Sequence, residues 1–482
     1  MTVIAATTLG RVRGVAKGSC VQWRGIPYAA PPTGARRFRP PEPPEPWVGE
    51  RDATRFGPVA MQARDPRAQM MSGIADQAAM SEDCLVLNVY APASYGDGRK
   101  RPVVVWIHGG AFIMGTAAMP LYNGATFAAN DIVCVTLNYR LGLFGLMYLG
   151  DLGGSEAGNC TLLDQIAALR WVRDNIAAFG GDPAQVTVMG ESAGGVSVAS
   201  LLAIPAAQGL FQRAILQSGA SGLSPPTRAD ATALAESVLA DLAVDVGGLA
   251  TVPADRILAA QLRASMQRGL GAFTPYVDGV TVPRPPIELV AAGEGARVPI
   301  LLGTNRDEWT LFDVFLGDPV TKVIRAQIEG RLGADTARIV AAYRAVHGER
   351  AWLALIGDVA FRIPMLRLAE AQPAPAHVYR FDWQSPAMGG RLGAAHAMEL
   401  PFVWNALDLP FSALLLGEVA PLRPLAARIH ATWCAFITSG TPDGGGLPAW
   451  PRYTPDRRST MLLDLTSRVA DDPDGELRRL WP

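Results

Sequence analysis

Uninterrupted runs of apolar and β-branched residues punctuate the chain, most clearly Val103-Val104-Val105-Trp106-Ile107 and Ile132-Val133-Cys134-Val135-Thr136-Leu137. Strands with no polar alternation are covered on both faces, so these runs predict the interior of a largely parallel sheet. Val186-Thr187-Val188-Met189, Ala214-Ile215-Leu216 and Val298-Pro299-Ile300-Leu301-Leu302 add further strands. Ahead of the third of these five, Leu162, Ile166, Leu169, Val172 and Ile176 recur at spacings of three and four, with Asp164, Gln165, Arg170, Arg173 and Asp174 between them. That spacing predicts an amphipathic crossover helix. Helical stretches recur between and after the later strands, and the alternation is that of an α/β fold.

Outside this pattern, the first ~60 residues are rich in glycine and proline. Pro31-Pro32-Thr33-Gly34 and Pro40-Pro41-Glu42-Pro43-Pro44 exclude helix interior and central strand, so this region is expected to wrap over the surface. Met61 to Met80 has little periodicity and reads as a loop, either mobile or an ordinary surface excursion. No internal repeat or long linker divides the chain, which predicts a single large domain over residues 1–482.

With 482 residues, 49% hydrophobic and 18% charged, the chain can bury a large core. A formal charge of −1, with both signs scattered, offers no basic stripe for nucleic acid and no polybasic segment for an anionic membrane. Partners are therefore expected to be small and neutral. No charged n-region precedes an apolar run at the amino terminus, and no apolar stretch approaches spanning length, which predicts a soluble, unprocessed protein. The five cysteines, Cys20, Cys84, Cys134, Cys160 and Cys434, are widely spaced without a Cys-x-x-Cys, as buried free thiols in a reducing compartment would be.

The chemistry centres on Gly190-Glu191-Ser192-Ala193-Gly194-Gly195, which follows the Val186 to Met189 strand directly. Small residues on both sides of Ser192 let the backbone bend from strand into helix and expose the hydroxyl at the strand end. A serine hydroxyl needs a general base, and the base needs a carboxylate to orient it. Of the five histidines, His108 follows a strand, His347 and His430 lie in predicted helices, and His377 lies in a predicted strand. His396 instead ends the Gly-rich loop Gly389 to His396, late in the chain, where an α/β-hydrolase carries its base. Leu301 to Glu308 supplies two neighbouring carboxylates, Asp307 and Glu308, and spacing does not choose between them. Gly109-Gly110-Ala111, after the strand ending at Ile107, and Ala193, after the serine, offer backbone N–H groups for an oxyanion.

These stretches together resemble the type-B carboxylesterase family, which includes bacterial para-nitrobenzyl esterases, animal carboxylesterases and cholinesterases. The similarity runs nearly end to end: Arg24 to Ala29, Arg37-Phe38, Ser81 to Val89, His108 to Phe112, Asn138-Tyr139-Arg140 and Leu163-Asp164-Gln165. It continues through Phe179 to Pro183, Gln217-Ser218-Gly219, Pro275 to Gly279 and Trp450 to Tyr453. The resemblance implies an α/β-hydrolase fold, a central, mostly parallel twisted sheet covered by helices, with loop and helical insertions forming the pocket. It implies Glu308 as the acid, from the pattern Gly-x-Asn-x-Asp-Glu at Gly303 to Glu308. It implies His396 as the base, from Gly-Ala-x-His-x-x-Glu-Leu at Gly393 to Leu400. Gly110, Ala111 and Ala193 become the oxyanion donors, Ser218 a serine supporting the histidine, and Glu191 a carboxylate close to the site.

Three departures stand out. Ala60-Met61-Gln62 lacks the cysteine that in secreted relatives pairs with the counterpart of Cys84, which favours a cytoplasmic setting. Thr161 stands where glycine is common, and Trp309 replaces the glycine that usually follows the acid, where its ring either reshapes the pocket or packs outward. The expected activity is hydrolysis of carboxylic esters through an acyl-enzyme on Ser192, without metal or organic cofactor, by a monomer or homodimer acting on a small-molecule ester. The same triad also serves carbamate, amide or thioester hydrolysis, and a non-catalytic binding protein on this fold is the remaining alternative.

Overall fold

The structure, a computed structural model, describes residues 2–64, 79–220 and 225–481. The chain divides into two compact units, Met1–Ile215 with Ser224–Ala296, and Leu216–Leu223 with Arg297–Pro482.

The first unit holds β1 (Thr2–Thr7), β2 (Gly10–Lys17), β3 (Cys20–Pro27), β4 (Glu50–Asp52), β5 (Val86–Pro92), β6 (Arg101–Ile107), β7 (Val133–Leu137), β8 (Gly181–Glu191) and the start of β9 (Arg213–Gln217). Their order is β1-β2-β3-β5-β7-β6-β8-β9, with β4 beside β2. β6 runs parallel to both neighbours, Val104 opposite Cys134 on one side and Thr187 on the other. Val103 to Ile107 are wholly buried, as a strand with two covered faces requires. Parallel strands need a crossover, and α1 (Cys160–Asn175) supplies the one that carries the chain from β7 past β6 to β8, its apolar stripe buried as the spacing predicts. α2 (Ala193–Ala203) follows β8 and packs against it.

The amino-terminal region departs from its expectation. Residues 2–27 form three antiparallel strands that extend the sheet beyond β5. Trp23 anchors them, wholly buried and edge-on to Phe179 at 4.9 Å. Only the proline-rich stretch that follows is irregular, apart from a short 3-10 turn at Gly34–Arg36. Of the predicted Met61 to Met80 loop, residues 65–78 lie outside the described residues.

A buried ion pair explains two of the sequence stretches noted above. Arg140 grips Asp164 on α1 with Nε (2.8 Å) and Nη2 (2.6 Å), and its Nη1 donates to the Arg39 carbonyl (2.7 Å). The paired, fully bonded geometry is what makes such a buried charge tolerable. Thr161 closes the same corner, its hydroxyl donating to the Arg140 carbonyl (2.6 Å).

In the second unit the end of β9 is followed by β10 (Ile300–Asn305), β11 (Ala376–Phe381), β12 (Ser459–Leu463) and β13 (Arg468–Asp471). β10, β11 and β12 run parallel and β13 is antiparallel to β12. Its helices include α3 (Thr310–Leu316), α4 (Thr336–His347), α5 (Ala351–Gly357) and α6 (Ile363–Ala371), the last packed on β10 and β11. A single π-turn, Asp358–Arg362, joins α5 to α6.

All five cysteines are buried and free. Burial pushes the thiols of Cys20 and Cys160 up to about 11 and that of Cys434 up to about 12. No helix among the described residues is long and apolar enough to cross a membrane.

Candidate active site

Ser192 sits between the last residue of β8 and the first of α2, at φ 55° and ψ −121°. A non-glycine residue held there costs on the order of 1–3 kcal/mol, and the surrounding turn imposes it. A Cβ on Gly190 would lie 2.4 Å from the Gly194 carbonyl oxygen, and one on Gly194 would lie 2.0 Å from that of Ile107. No side chain fits at either position, which is why the turn is written in glycine. α2 begins at once, with Val196 N donating to the Ser192 carbonyl (2.9 Å). The first N–H groups of a helix have no acceptor within it, and Ala193 carries the first of them.

The Gly-rich loop lies directly against this turn. A Cβ on Gly109 would meet both the carbonyl and Oε2 of Glu191 at 2.8 Å and Cβ of Ser192 at 3.0 Å. Gly110 adopts φ 112° and Ala111 φ 52°. Ile113 and Met114 N–H groups close on the Gly110 carbonyl (both 3.0 Å), and Gly142 N donates to Phe112 O (2.6 Å). The Gln62 amide clamps Gly115 from both sides, donating to its carbonyl and accepting from its N–H, each at 3.0 Å. Beneath the loop, His108 stacks on Tyr139 (centroids 4.4 Å apart), and its Nδ1 lies 2.8 Å from Gly109 O. Burial pushes the His108 imidazole down to about 4, so it stands as a neutral support.

Within the second unit, β10 runs into the acidic turn. Asn305 N donates to Glu308 Oε1 (2.7 Å), leaving Oε2 2.5 Å from His396 Nδ1, and His396 N reaches the Glu308 carbonyl (3.3 Å). Both side chains are buried. With Nδ1 turned to the carboxylate, Nε2 is the nitrogen left to take a proton. The phenyl rings of Phe361 (4.7 Å) and Phe312 (5.1 Å), themselves stacked, both lie against the imidazole. Asp307 has another task. Its N–H donates to Ala394 O (2.9 Å) and its Oδ2 accepts from Ala394 N (3.0 Å), tying the histidine loop to the strand end.

Glu399 was legible in the sequence only as part of the Gly393 to Leu400 stretch, without a role. It is wholly buried, accepting from Asn305 Nδ2 (2.6 Å) and Gln217 Nε2 (2.9 Å). Asn305 thus bridges two buried carboxyl groups. Burial raises the Glu399 carboxyl above its ordinary range; Asn305 and Gln217 oppose this, while the nearby Glu308 adds to it. Ser218 is buried with its N–H on Gly303 O (2.8 Å), and among the described residues its hydroxyl has no hydrogen-bond partner. The expected contact with the histidine is therefore not drawn; its neighbour Gln217 is what reaches the network. Trp309 turns inward, its Nε1 donating to Thr321 Oγ1 (3.1 Å) and its ring against Phe312 (4.7 Å), one ring removed from His396.

Comparison with known proteins agrees over the whole length. The model of the "Carboxylesterase family" matches residues 2–481. The chain is 40% identical over 494 residues to the para-nitrobenzyl esterase of Bacillus subtilis (strain 168), covering 99% of this chain and 98% of that one. It is 36% identical over 491 residues to the phenmedipham hydrolase of Pseudarthrobacter oxydans, covering 97% of each. Among solved structures, a PNB esterase superposes with a TM-score of 0.90 at 38% identity, with 99% of each chain covered. A Geobacillus stearothermophilus carboxylesterase gives 0.89 at 40%, with 99% of this chain and 100% of that one covered. The chain belongs to the carboxylesterase family, and it is a carboxylic ester hydrolase with that family's α/β-hydrolase fold.

Proposed function

We propose that the chain works as one catalytic domain, with Ser192 as nucleophile, His396 as base, Glu308 as acid, and Gly110, Ala111 and Ala193 as oxyanion donors. The observation that carries this reading is the buried Glu308–His396 pair, with Oε2 on Nδ1 at 2.5 Å and Oε1 held by the Asn305 N–H. That arrangement fixes the tautomer in which Nε2 accepts a proton and stabilises the imidazolium that follows. His396 takes the Ser192 proton as the oxygen attacks the ester carbonyl, and the oxyanion is held by N–H groups worth roughly 10²- to 10³-fold each. His396 then protonates the departing alcohol. Water, deprotonated by the same nitrogen, hydrolyses the acyl-enzyme and restores the serine. Glu191 lies beside the serine turn, its carboxylate occupying the space a Cβ on Gly109 would need.

The same chemistry extends to carbamates and amides with a suitable leaving group, and a panel of matched ester, carbamate and amide substrates separates these by kcat/KM. The buried free thiols support a reducing compartment, the cytoplasm, as the setting. Ser192→Ala is expected to abolish turnover of short p-nitrophenyl esters while circular dichroism and Tm stay at wild-type values. Wild-type turnover in the pure variant overturns the assignment.

A further inference from the structure

We infer that the π-turn Asp358–Arg362, anchored through Tyr343 by Trp481 near the carboxyl end, is a positioning device for the His396 imidazole. This rests on the reading of His396 as the base. A π-turn carries an extra residue relative to the α-helix around it, and such turns recur at functional sites. Here one side of the helical segment faces the acid–base pair. A Cβ on Gly357 would stand 3.4 Å from Glu308 Cβ, an ordinary contact distance, so the end of α5 lies on the acid. Four residues on, the Phe361 ring lies 4.7 Å from the imidazole, tilted by 36°. Phe361 and Phe312 are nearly parallel (7°), and both lie against the imidazole. Glu308 fixes one nitrogen of His396; the two phenyl rings limit rotation of the imidazole about that contact.

The other side of the turn is tied down by polar groups. Asp358 accepts from Arg362 Nε (2.7 Å) and from the Tyr343 hydroxyl. The Tyr343 oxygen in turn accepts from Trp481 Nε1 (2.9 Å), and Arg362 Nη1 reaches the Pro473 carbonyl (3.4 Å). Tyr343 is wholly buried, and Asp358 and Arg362 are only slightly exposed, so these contacts are largely shielded from water. A chain of hydrogen bonds therefore runs from the carboxyl-terminal segment through Tyr343 and Asp358 to the turn that carries Phe361. An ångström of drift at a reacting group can cost up to 10²-fold, so loosening this chain should slow chemistry without weakening substrate binding.

The test uses the full-length enzyme, well below its Tm, with p-nitrophenyl acetate. Tyr343→Phe is expected to lower kcat about 10-fold with KM within about twofold. Trp481→Phe should act in the same direction by less. Asp358→Asn, which keeps an oxygen for the Tyr343 hydroxyl, should recover most of the kcat that Asp358→Ala loses. A purely structural role predicts no such rescue and no split between kcat and KM. Arg263→Gln, which breaks an exposed ion pair in the first unit, should leave both constants unchanged. His396→Ala in the same assay separates the two ways to fail. If it keeps wild-type turnover, the reading of the site falls and the device with it. If it is inactive while folded Tyr343→Phe matches wild type in kcat, the device alone falls. Should Tyr343→Phe not fold, Trp481→Phe and the Asp358 pair decide on the same criteria.

Discussion

Around Ser192 the backbone does the positioning, whereas around His396 side chains do it. The serine turn is set by a positive φ at Ser192, by glycines at 190 and 194 that admit no Cβ, and by Gly109 packed against the serine itself. The proposed acid–base pair depends on hydrogen bonds made by the side chains of Asn305, Glu308, His396, Glu399 and Gln217, residues drawn from distant points of the chain. The first kind of site is specified by a few consecutive residues. In the second kind, exchanging one buried partner redirects the others, so it is sensitive to the chemistry of single side chains more than to their size.

The largest effect expected from this contrast is at the acid. Glu308→Gln should lower kcat about 10⁴-fold, since the amide no longer fixes the productive tautomer. The neighbouring Asp307→Asn should fall by less than about 10-fold, as its carboxylate serves the Ala394 N–H instead of the imidazole. Steady-state kinetics on the two variants decides between the carboxylates, and a reversed order would move the acid to Asp307.

On the backbone side, Gly109→Ala adds only a methyl group, but that group would enter 3.0 Å from Ser192 Cβ. A drop of about 10²-fold in kcat is expected, the scale of losing an oxyanion donor. A fall confined to stability, read from urea midpoints with kcat intact, would show that the loop has no part in the chemistry.

The smallest effect is in stability against pH. His108 is held down to about 4 by burial, against 6.5 for an ordinary histidine. Between these values the unfolded chain binds a proton that the folded chain refuses, so stability is complete above 6.5 and is lost as pH falls. The loss from this group is about 1.4 kcal/mol per pH unit. Urea unfolding of wild type and His108→Gln from pH 7 to 4.5 checks it: the wild-type slope should be the steeper by about that amount.

The same contrast explains what could be read in the sequence. The runs Val103 to Ile107 and Val186 to Met189 fix strands because nothing else buries both faces, and Gly-x-Ser-x-Gly fixes a turn because only glycine fits there. Asp307 and Glu308 are adjacent carboxylates in one loop, and which of them faces the imidazole depends on Ala394 and Asn305, whose places are known only once β10 and the histidine loop are folded. Glu399 stands in the Gly393 to Leu400 pattern, but the pattern gives it no role, since its partners Asn305 and Gln217 lie far away in the chain and meet it only in the fold. The amino-terminal strands were obscured by the glycines and prolines around them, although the burial of Trp23 organises that region.

The central claim is that Ser192 carries the acyl group. The most direct measurement is mass spectrometry of the peptide bearing Ser192 after reaction with a p-nitrophenyl phosphonate, with one p-nitrophenolate counted per chain. A single adduct is expected on Ser192, formed in step with loss of esterase activity and absent from Ser192→Ala. Full inactivation with the adduct on another residue, or an unmodified Ser192 in inactive enzyme, would contradict it.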